Sequence, residues 1–153
     1  MKSILFVCLG NICRSQMAEA MLRHRLREAN IDSLFEIDSA GTSNEECGNP
    51  MYPPASQCLR SHGVDPGCHR ARQITKADYD RFDLIILMEE ANRRQMRHII
   101  ADDPDGKISL LLDYASAADH RDIADPWYTG GFEATYRDIE LGLDGLMCQC
   151  GME

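Results

Sequence analysis

The sequence predicts an α/β fold: one domain built on a doubly wound, four-stranded parallel sheet with helices on both faces. Three observations carry this expectation. Strand-like apolar runs alternate with helix-like periodicities, which implies right-handed crossovers between parallel strands. Asp83-Leu84-Ile85-Ile86-Leu87-Met88 is apolar throughout after its first residue, the mark of a strand covered on both faces at a sheet centre. The 153 residues suffice for one compact core and hardly for two, and no repeat, low-complexity tract or linker divides them, so residues 1–153 are expected to form a single domain.

Taken in order, Ser3-Ile4-Leu5-Phe6-Val7 reads as a buried first strand, and Met17, Ala18, Met21, Leu22, Leu26 and Ala29 follow at helical spacing. Residues 34–38 alternate as a second strand that ends at Ser39-Ala40-Gly41-Thr42. A polar loop rich in turn residues leads to Pro53-Pro54, which opens a helix through Ala55, Cys58, Leu59 and Ser61 that Gly63 stops. Thr75 caps a helical turn over residues 76–79. The apolar run at 83–88 is the third strand, residues 89–100 a helix, residues 108–112 the fourth strand, and residues 113–129 a long connection. Phe132, Tyr136, Ile139, Leu143, Leu146 and Cys150 form the single apolar stripe of a closing helix. Cys148 and Cys150 at its end lack a second ligand pair and read as incidental thiols.

Composition narrows the partners. With 16 Lys and Arg against 25 Asp and Glu the net charge is −9, which argues against nucleic acid or an anionic membrane. The acidic excess lies in residues 101–153, which carry 3 basic and 12 acidic side chains, so the first hundred residues remain compatible with an anion site. Neither a signal peptide nor a membrane span is expected, and seven irregularly spaced cysteines fit free thiols in a reducing cytoplasm.

The most informative motif is Cys8-Leu9-Gly10-Asn11-Ile12-Cys13-Arg14-Ser15, which joins the end of the first strand to the first helix. At such a junction the loop and first-turn N–H groups have no intrahelical partner and face the positive end of the helix dipole, so backbone alone can bind a dianion. Gly10 and Asn11 suit left-handed turns. Cys8 falls at the floor of this cup, where the same field favours the nucleophilic thiolate. Arg14 can grip two phosphoryl oxygens with its planar fork. The ending lacks the Gly-Lys-Ser/Thr of a nucleotide-binding loop.

A thiolate attacking a phosphate ester needs an acid on another loop for the departing oxygen. In a doubly wound sheet that loop lies with Cys8 at the carboxyl ends of the strands. Asp125, stiffened by Pro126, is the best candidate, although Asp113, Asp119 and Asp122 share its connection. Trp127 and Tyr128 beside it suit the wall of a slot for a flat leaving group such as a phenol.

These segments resemble the low-molecular-weight protein tyrosine phosphatases, and the resemblance runs nearly end to end. It rests on Val7 to Ser15, on Asp38-Ser39-Ala40-Gly41-Thr42, on His69-Arg70-Ala71-Arg72 and on Asp125-Pro126-Trp127-Tyr128. It implies a flavodoxin-like domain, with strand order 2-1-3-4, that hydrolyses phosphotyrosine through a phosphocysteine, with no metal or other cofactor required. By this resemblance Cys8 is the nucleophile, Arg14 and the backbone of Leu9, Gly10, Asn11, Ile12 and Cys13 hold the phosphoryl group, and Asp125 is first acid and then base. Ser15 donates to the Cys8 sulfur, Asn11, Ser39 and His69 brace the loop, and Cys13 is the second thiol that can pair with an oxidised Cys8. The implied substrates are phosphotyrosine proteins or small aryl phosphates, with phosphate or another oxyanion as a loop occupant and a monomer or weak dimer as the assembly.

Three departures bear on specificity. Glu45 stands where the family usually has an aromatic wall residue three positions before Gly48, with Tyr52 the nearest aromatic substitute. Tyr52-Pro53-Pro54 replaces the common Asp-Pro-Arg, and Glu89 stands where Asp is frequent. Two rival readings share the loop. A thiol-coupled arsenate reductase needs a cysteine pair on a helix near mid-chain, and residues 89–96 contain none. A non-catalytic phosphate-binding or redox-sensing module would have no use for an acid at Asp125.

Overall fold

The structure, a computed structural model, describes residues 2–152. Four strands, β1 (Lys2–Cys8), β2 (Phe35–Gly41), β3 (Leu84–Leu87) and β4 (Ile108–Leu110), form one parallel sheet in the order β2-β1-β3-β4. The expected fold class and strand order are therefore observed. The helices are α1 (Arg14–Glu28), α2 (Pro53–Ser61), α3 (Lys76–Arg81), α4 (Glu90–Gln95), α5 (Pro126–Thr129) and α6 (Phe132–Cys150), with 3-10 turns at Asp32–Leu34 and Leu111–Tyr114.

Side-chain alternation along β1 divides the core in two. Ile4, Phe6 and Cys8 point to a cluster with Met17, Met21 and Leu22 of α1, Ala55 and Leu59 of α2, and Ile139, Leu143 and Leu146 of α6. Leu5 and Val7 point the other way, to Tyr79, Phe82, Met96, Ile100 and Leu110. The thiol of Cys8 thus ends the helix-rich face, above the start of α1.

Several element boundaries differ from the sequence-based expectation: β1 is a residue longer and β3 a residue shorter at each end, α3 continues to Arg81, the connection expected over 113–129 contains α5, and three further differences follow from pairing and packing. The second strand begins at Phe35 and runs to Gly41, because it pairs with β1 along its whole length, from Lys2↔Phe35 to Cys8↔Gly41; Leu34 belongs to the preceding turn and is exposed. The helix expected over 89–100 stops at Gln95. Beyond it the chain turns, with Ile99 N and Ile100 N both donating to Met96 O, so that Met96 and Ile100 drop into the second core. The fourth strand stops at Leu110, and the turn that follows delivers Leu111 and Leu112 to the first core.

That turn packs against α6 at two glycines. A Cβ on Gly142 would lie 2.4 Å from Leu111 Cγ, and one on Gly145 would lie 1.8 Å from Tyr114 O. Gly145→Ala is therefore expected to destabilise the protein by about 1–3 kcal/mol, although alanine in an open helix is better than glycine by about 1 kcal/mol. The urea midpoint measures this. A midpoint at or above that of the wild type would show that the seam is not close-packed.

Candidate active site

Backbone geometry forms the cup before any side chain enters it. From the end of β1 the chain wraps through residues 9–13 and enters α1 at Arg14. Asn11 supplies the left-handed turn, at φ 58°. Gly10 does not take a left-handed conformation, contrary to expectation, and a Cβ there would make ordinary contacts. The glycine that the loop needs is Gly41 on β2. A Cβ on it would lie 2.8 Å from Leu9 O, so its bareness lets the loop close against the neighbouring strand, where Thr42 N donates to Cys8 O and Ser43 N to Leu9 O.

Cys8 Sγ is buried at the floor, accepting from Asn11 N at 3.3 Å and lying 3.0 Å from Ser15 Oγ. The direction of that last contact follows from its neighbours. Asn11 Nδ2 donates to Ser15 Oγ at 2.7 Å and to Ser39 Oγ at 3.0 Å, while Ser39 Oγ donates to Glu19 Oε1 at 2.7 Å. With its oxygen accepting from Asn11, the Ser15 hydroxyl has its proton free to donate to the sulfur.

On the far side Asn11 Oδ1 accepts from Arg72 N at 3.1 Å and faces His69 Nε2 at 3.0 Å. His69 Nδ1 lies 3.3 Å from both Glu19 and Asp38 carboxylates, so both ring nitrogens face acceptors. Burial would raise the Asp38 pKa, but hydrogen bonds from His69 and Ser39 N, together with Arg72, bring it down to about 2.

Arg14 is 1% exposed, although arginine is almost never buried without a partner. Its Nη1 donates to Glu89 Oε2 at 2.8 Å and to Ile123 O at 2.9 Å, and its Nη2 to Asp125 Oδ2 at 3.3 Å. Burial opposes its charge, yet Cys8, Glu89 and Asp125 together raise its pKa and hold it protonated. Its Nε is buried with no hydrogen-bond partner among the described residues. An unpaired buried donor on a cation is costly, and an anion in the cup would satisfy it.

Asp125 caps α5, with Oδ1 accepting from Trp127 N at 3.0 Å. Its carboxylate and the Cys8 thiol share one cleft of about 170 Å³. Leu9, Gly10, Ile12, Cys13, Arg14, Glu45, Trp127 and Tyr128 also line it, while the side chain of Asn11 lies wholly buried behind the loop. Trp127 and Tyr128 are 50% and 76% exposed, large apolar surface left at a cleft mouth. Tyr52 does not line the cleft; its ring packs behind Trp127 with centroids 4.6 Å apart. Cys13 keeps its proton, because burial and the Cys8 charge push its pKa up to about 12.

Several contributors were not assigned from the sequence. Ser43 and Glu46 line the cleft, Glu89 pairs with Arg14, and Glu19 anchors Ser39. Glu19 alone left a local signal, since it sits one helical turn beyond Ser15. None of the described helices is long and apolar enough to cross a membrane.

The family model for low molecular weight phosphotyrosine protein phosphatase matches residues 3–153. A Bacillus subtilis relative named low molecular weight protein-tyrosine-phosphatase YfkJ is 38% identical over all of this chain and 98% of its own. Its crystal structure superposes with a TM-score of 0.93 over 97% of this chain and 94% of that one. The human low molecular weight phosphotyrosine protein phosphatase is 42% identical over 89% of this chain and 87% of its own. A Drosophila protein described as an arginine phosphatase gives a TM-score of 0.86 at 33% identity, covering 97% of both chains. A thiol and a buried guanidinium in one loop, a carboxylate across the cleft and this likeness along the whole chain lead to one conclusion: the protein belongs to the low molecular weight phosphotyrosine protein phosphatase family.

Proposed function

We propose that this protein hydrolyses phosphotyrosine and related aryl phosphates through a phosphocysteine at Cys8. One observation carries the reading: Arg14, with its unpartnered Nε, joins the loop that holds Cys8 Sγ to the carboxylate of Asp125 across the same cleft. In the first step the Cys8 thiolate attacks phosphorus, the bond to the tyrosine oxygen breaks, and Asp125 gives that oxygen its proton. In the second, water attacks phosphorus while Asp125 takes its proton, the P–S bond breaks, and Ser15 donates a hydrogen bond to the departing thiolate. The N–H groups of residues 9–13 and Arg14 hold the equatorial oxygens throughout, so most of the catalysis is electrostatic. The reaction needs no metal or cofactor. Asn11, Ser39 and His69 keep the loop in shape, which is the positioning that such a site requires.

The walls favour a flat aryl group, with Trp127 and Tyr128 among the lining residues. Glu45 and Glu46, which also line the cleft, favour peptides with basic residues beside the phosphotyrosine and repel acidic ones. Cys13 serves as the thiol that closes on an oxidised Cys8; being protonated, it reacts faster as pH rises. The reducing environment this needs is the cytoplasm, with the protein acting as a monomer or weak dimer.

The test is turnover of para-nitrophenyl phosphate and of phosphotyrosine peptides under reducing conditions, with basic and acidic flanking sequences compared. Basic-flanked peptides should give the higher kcat/KM, and free phosphoarginine should be the poorer substrate. No aryl phosphatase activity would sink the proposal. Arsenate reduction coupled to a thiol donor would support the reductase in its place.

A further inference from the structure

Away from the cleft, the outer end of the α2–α6 seam brings a thiol, an imidazole and a carboxylate together. Cys58 lies in the last turn of α2 and His62, four residues on, caps its C-terminus, so their side chains fall on the same side of the helix end. Glu133, in the first turn of α6, comes between them, with Oε2 2.8 Å from His62 Nε2 and Oε1 accepting from Cys58 Sγ at 3.5 Å. The three ligand atoms lie within 4.8 Å of one another. Cys58 is buried, whereas His62 and Glu133 open to solvent, which leaves both an entry path and a free coordination position.

We propose that Cys58, His62 and Glu133 bind a zinc-class divalent cation that fastens α2 to α6. With Zn–S near 2.3 Å and Zn–N and Zn–O near 2.0–2.1 Å, tetrahedral ligand atoms stand about 3.3–3.6 Å apart. The Cys58–Glu133 separation already matches, and the exposed Glu133 carboxylate need move less than about 1 Å to widen its contact with His62. Binding replaces the Cys58 S–H bond with an S–Zn bond and releases the proton to solvent. The resulting thiolate and the carboxylate balance the two positive charges, and the donor set of sulfur and imidazole selects against Mg²⁺. The His62 ring is held flat on Tyr136, 3.8 Å away and 8° from parallel, which fixes its nitrogen toward the site. The second cluster of this kind among the described residues, Glu19, Asp38 and His69, is already engaged in bracing the phosphate loop.

The position gives the cation a structural consequence. Tyr52, just ahead of α2, and Phe132, at the start of α6, have ring centroids 6.1 Å apart, and Tyr52 also backs Trp127. A cation across Cys58 and Glu133 therefore pins together the two helices whose beginnings support the aromatic wall.

Co²⁺ titration of the Cys8→Ser variant, which removes the cleft-floor thiol, tests the site by its thiolate-to-cobalt charge-transfer absorption. The expected result is one equivalent of Co²⁺ bound with that band, displaced by Zn²⁺ but not by Mg²⁺, and a Zn²⁺-dependent rise in unfolding temperature. The band and the rise should vanish in Cys8→Ser/Cys58→Ser. They should also vanish in Cys8→Ser/His62→Gln, which keeps the thiol and alters only an exposed side chain, with metal-free circular dichroism confirming its fold. Absence of the band in the Cys8→Ser variant, or its persistence in either double variant, overturns the proposal.

Discussion

Cys8→Ser is expected to abolish turnover of para-nitrophenyl phosphate, lowering kcat by about 10⁵–10⁶-fold, as removal of a nucleophile that works in concert with its neighbours does elsewhere. The variant should still bind phosphate. The cup is made of backbone N–H groups and Arg14, and Arg14 keeps Glu89, Ile123 O and Asp125 as partners whether sulfur or oxygen stands at the floor. Serine is smaller than cysteine, and its hydroxyl can use the contacts that Asn11 N and Ser15 Oγ make with the sulfur. Steady-state kinetics and phosphate calorimetry on the same preparation check both halves. Residual kcat within tenfold of the wild type would remove Cys8 from the chemistry, and loss of phosphate binding would mean that the sulfur holds the loop in shape.

Asp125→Asn should lower kcat by about 10²–10⁴-fold toward phenyl phosphate, the range for a positioned general acid. The loss should be smaller toward para-nitrophenyl phosphate, whose leaving oxygen needs less help from a proton. Asparagine retains an oxygen to accept from Trp127 N, so the cap of α5 survives, and Arg14 still has Glu89 and Ile123 O. The diagnostic quantity is the dependence of kcat on leaving-group basicity, which should become steeper in the variant. If Asp125 were only a helix cap, both that dependence and the unfolding temperature would stay unchanged, because asparagine keeps the cap.

The features legible in the sequence are those written in short-range pattern. Alternation and apolar runs placed all four strands, and the stripe from Phe132 to Cys150 placed α6 at its observed bounds. The Cys8-to-Arg14 loop was readable because its chemistry lies within eight consecutive residues. Asp125 stood out through Pro126 and the two aromatics beside it. Element ends were less legible because pairing and packing set them: Gly41 is strand because Cys8 lies beside it, and α4 stops where Met96 and Ile100 find the core.

Taken alone, the sequence determined the fold class and the loop with its thiol and guanidinium, since each is encoded by residues close together in the chain; the strand order and the choice of Asp125 among the acids of its connection came only with the likeness to the family. Only the tertiary structure decided what makes that loop an active site. Arg14 is held by Glu89 and Asp125, 75 and 111 positions away, and the chain from Glu19 through Ser39 and Asn11 to Ser15 crosses from helix to strand to loop. The contact between Gly41 and Leu9 and the meeting of Cys58 and His62 with Glu133 have the same character. Buried charges and hydroxyls must find partners in three dimensions, and a partner a hundred residues away leaves no periodicity by which a sequence can announce it.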